Sequence, residues 1–404
     1  MKTLIVGSGK SGKGAARLLQ HLGHEVVTVD PHPHDVERIC PPCEGEKAFD
    51  QIILSPGIPP HRVEVPKGCE MIGEVELAFR YMQNKAIGIT GTNGKTSLSL
   101  LITHALNVSG VRARSLGNVG RSLCDYLVNP DPKEVLVVEL SSFQLETVMS
   151  RALDDGIITN ITPDHLDRYS SFETYAAVKC SLGKLVKGEL LVGAEVNGQF
   201  GALLPRENLR VVDADFYLQL KEEEQYLRLL GSDVVACAFA ICGKFGLTWE
   251  EFEGACRTFH RPEHRVEYVG EVGGVRFYND SKATNVAAAV HAIRRITGMV
   301  CLIAGGRAKG SSFEEWRQSF PGKVRRVFVI GEAAAQIERE LMGAIPVRRC
   351  QNLQGAVWRA HKEAQWGEAV LLSPGCSSLD QFLDYEDRGD RFKEYVFKLR
   401  KVDS

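Results

Sequence analysis

The segment Ala86-Ile87-Gly88-Ile89-Thr90-Gly91-Thr92-Asn93-Gly94-Lys95-Thr96 constrains this chain more than any other, because an apolar strand runs into a glycine turn, then Lys-Thr, then the helical run Leu98 to Leu106. Strand, turn and helix in that order make a phosphate cradle. Backbone N–H groups of Gly91, Thr92, Asn93 and Gly94 are expected to face phosphate oxygens, Lys95 to reach the outer phosphates, and the Thr96 hydroxyl to ligate Mg²⁺. The commoner P-loop pattern has glycine five places before Gly94, where this chain has Ile89, so the match is to the Thr-Gly-Thr-Asn-Gly-Lys-Thr variant. A nucleoside triphosphate is the expected ligand.

Val- and Ile-rich runs alternate with helical stretches on both sides of this segment, which predicts an α/β fold of parallel sheets with helical crossovers. At 404 residues the chain exceeds one ordinary core. Breaks near Asn84 and Arg261 predict three domains: a Rossmann-like domain over 1–84, a nucleotide-binding domain over 85–261 and a second Rossmann-like domain over 262–404. The last carries strands Val300–Ala304, Val327–Ile330 and Ala369–Leu372, which exit into Gly305-Gly306-Arg307, Gly331-Glu332 and Ser373-Pro374-Gly375. Ligands of open α/β sheets gather at such strand ends. A net charge of −2 with mixed signs offers no basic stripe for nucleic acid, and no long uncharged apolar run suits a membrane. A small anionic substrate in the cytoplasm fits better.

The first region has its own glycine turn. Leu4-Ile5-Val6 leads to Gly7-Ser8-Gly9-Lys10-Ser11-Gly12, a helix through Leu19, and strand Val26–Val29 ending at Asp30, an acid where a ribose or base is read in dinucleotide folds. Any α/β domain also makes such turns, and an NAD-dependent dehydrogenase built on this one leaves Lys95, Glu139 and His165 without roles. The 11 cysteines are scattered, and Cys237 and Cys301 in apolar surroundings read as reduced core thiols. His32, His34, Cys40 and Cys43 supply zinc-capable donors, but their spacing matches no common zinc module and the prolines around them predict an irregular loop.

Two further strand ends carry polar clusters. Val135-Leu136-Val137-Val138 delivers Glu139, an acid that can face the cradle threonine across a metal, and Ile157-Ile158-Thr159-Asn160 leads to Asp164-His165-Leu166-Asp167. Lys179, in Tyr175-Ala176-Ala177-Val178-Lys179, reads from these residues alone as a solvated helix lysine.

The cradle, Glu139 to Glu146, Asn160-Ile161-Thr162-Pro163-Asp164-His165-Leu166-Asp167-Arg168-Tyr169, His264-Arg265 and Asn279-Asp280-Ser281-Lys282-Ala283-Thr284-Asn285 together resemble the Mur ligases. With Ser373-Pro374-Gly375-Cys376-Ser377-Ser378-Leu379-Asp380-Gln381-Phe382, the likeness narrows to the branch that adds D-glutamate to UDP-N-acetylmuramoyl-L-alanine in cytoplasmic peptidoglycan precursor synthesis. It runs through all three regions in order. The resemblance implies an ATP-dependent amide ligase working through an acyl phosphate; a sibling ligase for another amino acid is the alternative. It implies a monomer with two Mg²⁺ ions, the first held by Thr96 and Glu139, the second by Glu139, His165 and a carbamylated Lys179. It further implies nucleotide contacts from Arg265 and Asp280, uridine and diphosphate contacts from Lys10, Ser11 and Asp30, and substrate-facing segments at Ser55-Pro56-Gly57 and around Asn118. Lys282, Thr284, Lys309, Ser378 and Tyr385 are implied for D-glutamate. One departure stands out: Asp233 and Val234 occupy a His-Asn pair of the family, and valine offers no hydrogen bond to adenine.

Overall fold

The computed structural model describes residues 1–30, 49–212, 232–260, 262–310 and 312–400. His32, His34, Cys40, Cys43 and Gly231 lie outside the described residues. The class is α/β, as expected, with three sheets in chain order. By contacts the chain divides into two compact units, Met1–Ile161 with Glu173–Phe259, and Thr162–Phe172 with His260–Ser404.

The first unit holds two all-parallel sheets. In the smaller, β1 (Lys2–Val6), β2 (Glu25–Val29), β3 (Gln51–Leu54) and β4 (Glu70–Gly73) lie in the order β2-β1-β3-β4. In the larger, β5 (Ala86–Thr90), β6 (Ala113–Gly117), β7 (Val135–Glu139), β8 (Asp155–Ile158), β9 (Leu190–Gly193) and β10 (Leu209–Val212) take the order β10-β9-β8-β5-β7-β6. The chain leaves β5 toward β6 and β7 on one side and later returns to β8 on the other. The carboxyl end of β5 is therefore a point where strand order reverses, the usual ligand position in such sheets.

The helix Lys95–Val108 is fixed there by packing. Leu98, Leu101, Ile102, Ala105 and Leu106 repeat at three- and four-residue steps, all fully buried against Ile87, Ile89, Val137 and the helix Ser232–Gly243. Truncating one of these leucines to alanine costs about 2–5 kcal/mol, so the helix start is anchored by its core face. Two buried acids on the helix Glu74–Tyr81 tie the smaller sheet to the larger. Glu74 Oε1 accepts from Cys124 N at 2.7 Å, and Glu76 Oε2 accepts from Met149 N and Ser150 N at 2.8 and 2.9 Å. Burial raises the Glu74 carboxyl above its ordinary range.

The second unit has one six-stranded sheet of β11 (Glu267–Val272), β12 (Val275–Asn279), β13 (Val300–Gly305), β14 (Val324–Ile330), β15 (Val347–Arg349) and β16 (Ala369–Leu372), in the order β11-β12-β16-β13-β14-β15. Only the β11 to β12 pairing is antiparallel. The helices Val286–Arg295, Glu314–Ser319 and Ala334–Leu341 cover one face and Leu353–Glu363 and Tyr385–Arg400 the other, which explains why its strands read as continuous apolar runs. Cys237 and Cys301 are core residues, and burial pushes both thiols up to about 12. Among the described residues no helix is long and apolar enough to cross a membrane.

Candidate active site

The cradle is built by backbone geometry. Gly91 has φ +146°, and a Cβ there would lie 1.9 Å from Thr159 Oγ1, so only glycine lets the turn pass this close to the end of β8. Gly94, at φ +85°, is the N-cap of the helix Lys95–Val108. The turn is pinned from β8: Thr92 N donates to the Asn160 carbonyl at 2.8 Å, Asn93 N to Asn160 Oδ1 at 2.9 Å, and Thr159 Oγ1 to the Asn93 carbonyl at 2.7 Å. Lys95 Nζ folds over the turn, donating to the carbonyls of Gly91 and Thr92 at 2.7 and 2.9 Å. Thr96 follows in the first turn of the helix.

Glu139 ends β7, the strand beside β5, and is buried. Its Oε1 accepts from Asn118 Nδ2 at 2.7 Å, while Oε2 is buried with no hydrogen-bond partner among the described residues. A buried carboxylate oxygen left unpaired is costly, and a hard cation that prefers oxygen ligands is the kind of partner that satisfies it. The donor set of this unit thus fits Mg²⁺.

Lys179 is where the residue-level expectation fails. It is not solvated but 1% exposed, on the helix Phe172–Cys180. Its Nζ donates to the Gly91 carbonyl at 2.7 Å and sits 4.9 Å from the centre of the Tyr175 ring, whose hydroxyl lies 3.0 Å from Thr92 Oγ1. Lys95 and Lys179 therefore share one carbonyl acceptor.

The first glycine turn is also tightly packed. A Cβ on Gly12 would meet the Gly7 carbonyl at 1.9 Å, and Ser55 Oγ donates to that carbonyl at 2.9 Å. Asp30 accepts from Ser8 N at 3.1 Å and from its hydroxyl, so the acid at the end of β2 closes the turn that carries exposed Lys10 and half-buried Ser11.

Thr162–Phe172 belongs to the second unit. There Asp164 Oδ1 lies 3.3 Å from Lys309 Nζ, and Oδ2 accepts from Asn285 Nδ2 at 3.0 Å. Burial alone would raise this carboxyl, but Lys309, His165 and Asn285 outweigh it and hold it below the ordinary carboxylate range. Asp280 is buried too, accepting from Ser373 Oγ at 2.8 Å and Val266 N at 3.2 Å, and burial pushes it up to about 7. Lys282 Nζ lies 3.7 Å from the Tyr385 ring centre. Ser378 is buried, Thr284 half-buried, and Arg265 lies between His264 and Val266. Among the described residues, His165, His264 and Val266 are the non-glycine positions with positive φ, at 55°, 62° and 50°; Val266, β-branched, pays the most for it. His165 is itself an expected metal ligand, and His264 and Val266 flank Arg265, an expected nucleotide contact.

The sequence assigns no role to Thr159, Asn160 or Asn285, which pin the cradle or bond Asp164, and reads Asp164 only as part of a polar, metal-capable cluster, whereas the structure pairs it with Lys309. All four lie inside quoted motifs, and that was the available signal. Val234, expected to matter as a missing adenine contact, is a buried core residue of the helix Ser232–Gly243.

Residues 89–220 match the Mur ligase middle domain and 264–376 the Mur ligase glutamate ligase domain. The chain is 40% identical to a UDP-N-acetylmuramoylalanine--D-glutamate ligase of Protochlamydia amoebophila, covering 98% of this chain and 97% of the relative. It is 34% identical to the protein of that name from Caldicellulosiruptor bescii, with 98% and 97% covered. Among solved structures, a MurF ligase from Thermotoga maritima in complex with ADP aligns with TM-score 0.62 at 14% identity, over 88% of this chain and 90% of that one. The MurC of the same organism aligns at 0.57 and 13% identity over 98% and 99%. At these identities the two structures speak for the fold.

Proposed function

The chain belongs to the Mur ligases, and from that premise we propose that it joins D-glutamate to UDP-N-acetylmuramoyl-L-alanine at the expense of ATP, in cytoplasmic synthesis of peptidoglycan precursors. The observation that carries this reading is the full-length likeness to several D-glutamate ligases. The carboxylate of the UDP-linked substrate attacks the γ-phosphorus, ADP leaves, and an acyl phosphate forms. The amine of D-glutamate then attacks the acyl carbon, expelling phosphate and losing a proton as the amide bond forms.

The physical difficulty is holding an anionic carboxylate against an anionic triphosphate, so positive charge and positioning carry most of the catalysis. In the proposed roles the N–H groups of Gly94 and the helix start hold the phosphates; contrary to expectation, Thr92 N and Asn93 N are engaged by Asn160 and shape the turn instead. Lys95 turns from its carbonyl acceptors to the transferring phosphoryl group. Mg²⁺, when bound, would be held by Thr96 and Glu139 and would supply further positive charge there. The unpaired Glu139 oxygen supports that role. Carbamylation of Lys179, in which its neutral amine adds to CO₂ and releases a proton, exchanges a cation for oxygen ligands. Two ammoniums on the Gly91 carbonyl support it, because neutralising one removes their repulsion. His165 belongs to the other compact unit, and its part in a second ion rests on the family likeness alone.

Lys10, Ser11, Asp30 and Asn118 are proposed for the UDP-linked substrate, Arg265 and Asp280 for the nucleotide, and Lys282, Thr284, Lys309, Ser378 and Tyr385 for D-glutamate. Two lysines with hydroxyl donors suit a dicarboxylate. The domain boundaries at 84/85 and 261/262 form part of the same reading.

Phosphate release from ATP and Mg²⁺ tests it, with the UDP-linked substrate present or omitted and with D-glutamate, L-glutamate or other amino acids. The expected result is release that requires both substrates and favours D-glutamate. Preference for another amino acid replaces the reading with a sibling ligase, and ATP binding without release replaces it with a non-catalytic nucleotide module.

A further inference from the structure

The helix Tyr385–Arg400 buries a charge that the reaction as described does not use. Arg388 is 0% exposed. Its Nε donates to Ser281 Oγ at 2.9 Å, Nη2 to the Ser281 carbonyl at 2.8 Å, and Nη1 to the Cys376 carbonyl at 3.2 Å. Buried cations are ordinarily paired with carboxylates, because desolvating an isolated charge is costly. This one is bonded instead to a hydroxyl and two carbonyls, with Asp380 and Asp280 acting on it through space. Burial pulls the guanidinium down to about 10, which leaves it charged at neutral pH.

Its acceptors stand in two separate segments. Ser281 lies beside Lys282 and Thr284, and Cys376 two residues before Ser378, so Arg388 bridges the two loops proposed to hold D-glutamate. The Ser281 hydroxyl in turn donates to the Tyr385 carbonyl at 2.8 Å, and the Tyr385 ring lies against Lys282. One guanidinium thus fixes both loops and, through Ser281, the start of its own helix. A planar fork with five donors can bond both segments at once, which a lysine ammonium cannot do in the same geometry.

We propose that Arg388 is a positioning residue for the amino-acid substrate, bracketing the Asp280–Asn285 and Ser373–Ser378 segments so that Lys282, Thr284 and Ser378 converge on its carboxylates. The inference rests on the reading that these loops take D-glutamate. It separates Arg388 from a residue that merely stabilises the fold, because a bracket between these loops acts most on D-glutamate, less on ATP through Asp280, and not on the UDP-linked substrate.

The test is steady-state kinetics of the full-length enzyme, wild type against Arg388→Lys, varying each substrate in turn, with Tm recorded for both. Arg388→Lys should raise the KM for D-glutamate about tenfold or more, the size of one lost charge-assisted hydrogen bond. The KM for the UDP-linked substrate should stay within about threefold, and kcat should fall less than the D-glutamate KM rises. An unmoved D-glutamate KM, or equal rises for all three substrates, overturns the proposal. If Arg388→Lys does not fold, Ser281→Ala removes the hydroxyl contact and its bond to the Tyr385 carbonyl while both carbonyl acceptors, of Ser281 and Cys376, stay bonded; it should raise the D-glutamate KM about threefold, and no selective rise again overturns it. Wild-type enzyme that turns over with a different amino acid defeats the underlying reading, whereas wild-type turnover with D-glutamate and an unmoved KM in the variant defeats this inference alone.

Discussion

Compared with wild type kept free of CO₂, so that Lys179 is uncarbamylated, replacing Lys179 by methionine removes a buried ammonium while nearly conserving the volume of its side chain. Lys179 and Lys95 each donate to the Gly91 carbonyl at 2.7 Å. Two ammoniums on one acceptor are within about 5 Å, where like charges repel by about 3 kcal/mol at an effective dielectric near 20. Against that relief stands the loss of a charge-assisted hydrogen bond worth about 1.5–3 kcal/mol. Desolvating the Lys179 ammonium costs several kcal/mol more, and methionine avoids that cost. Lys179→Met is therefore expected to unfold at the same denaturant concentration as wild type or a higher one, although it removes a fully buried polar group. Its ligase turnover should fall about 100-fold or more below that of wild type supplied with CO₂ if the residue supplies metal-binding oxygens. Chemical denaturation with an unchanged m-value, beside phosphate release, measures both. Loss of more than about 2 kcal/mol of stability would refute the charge argument and make Lys179 a structural cation whose pairing the fold requires.

Other consequences follow from the same geometry. Gly91→Ala places a methyl group against Thr159 and forces an alanine to positive φ, at a cost of about 1–3 kcal/mol in backbone strain; ATP affinity measured by calorimetry should drop while the UDP-linked substrate still binds. Glu139→Gln keeps an acceptor for Asn118 and removes the charge, so the Mg²⁺ concentration for half-maximal turnover should rise about 10–100-fold with little change in Tm. Asp280 has a folded-state pKa of about 7, above its unfolded value. The native state thus holds a proton that the unfolded chain has released, and this group's contribution to stability falls as pH rises from about 4 to about 7. Asp280→Asn should flatten that fall, so the variant gains on wild type between pH 5 and pH 8; a parallel pH dependence for the two proteins would contradict it.

Local patterns carried most of the fold. The β5 strand, its glycine turn and the Leu98 to Leu106 repeat are contiguous, and the structure has them at the expected residues. What could not be read was anything set by strand order. Thr159 and Asn160 pin the cradle only because β8 pairs with β5, and the Asp164 to Lys309 contact spans 145 residues. Lys179 shows the same limit. Tyr175, Ala176, Lys179 and Cys180 form one buried helix face, but a lysine on it becomes intelligible only when the Gly91 carbonyl, 88 residues away, is known to meet it. In sequence Arg388 is one charge among many in the helix Tyr385–Arg400, and its burial depends on a loop over 100 residues upstream as well as on Cys376. The chemistry was legible earlier than the geometry because motif residues are contiguous, whereas their supports come from other strands.

Oxygen transfer tests the central claim most directly. The protein would be given UDP-N-acetylmuramoyl-L-alanine labelled with heavy oxygen in its carboxylate, together with ATP, Mg²⁺ and D-glutamate, and the phosphate and peptide products analysed by mass. Carboxylate phosphorylation predicts that each phosphate released carries one labelled oxygen and that the UDP-linked dipeptide keeps the other at the new amide. Unlabelled phosphate, with or without dipeptide formed, would contradict an acyl phosphate and with it the account of what this site does.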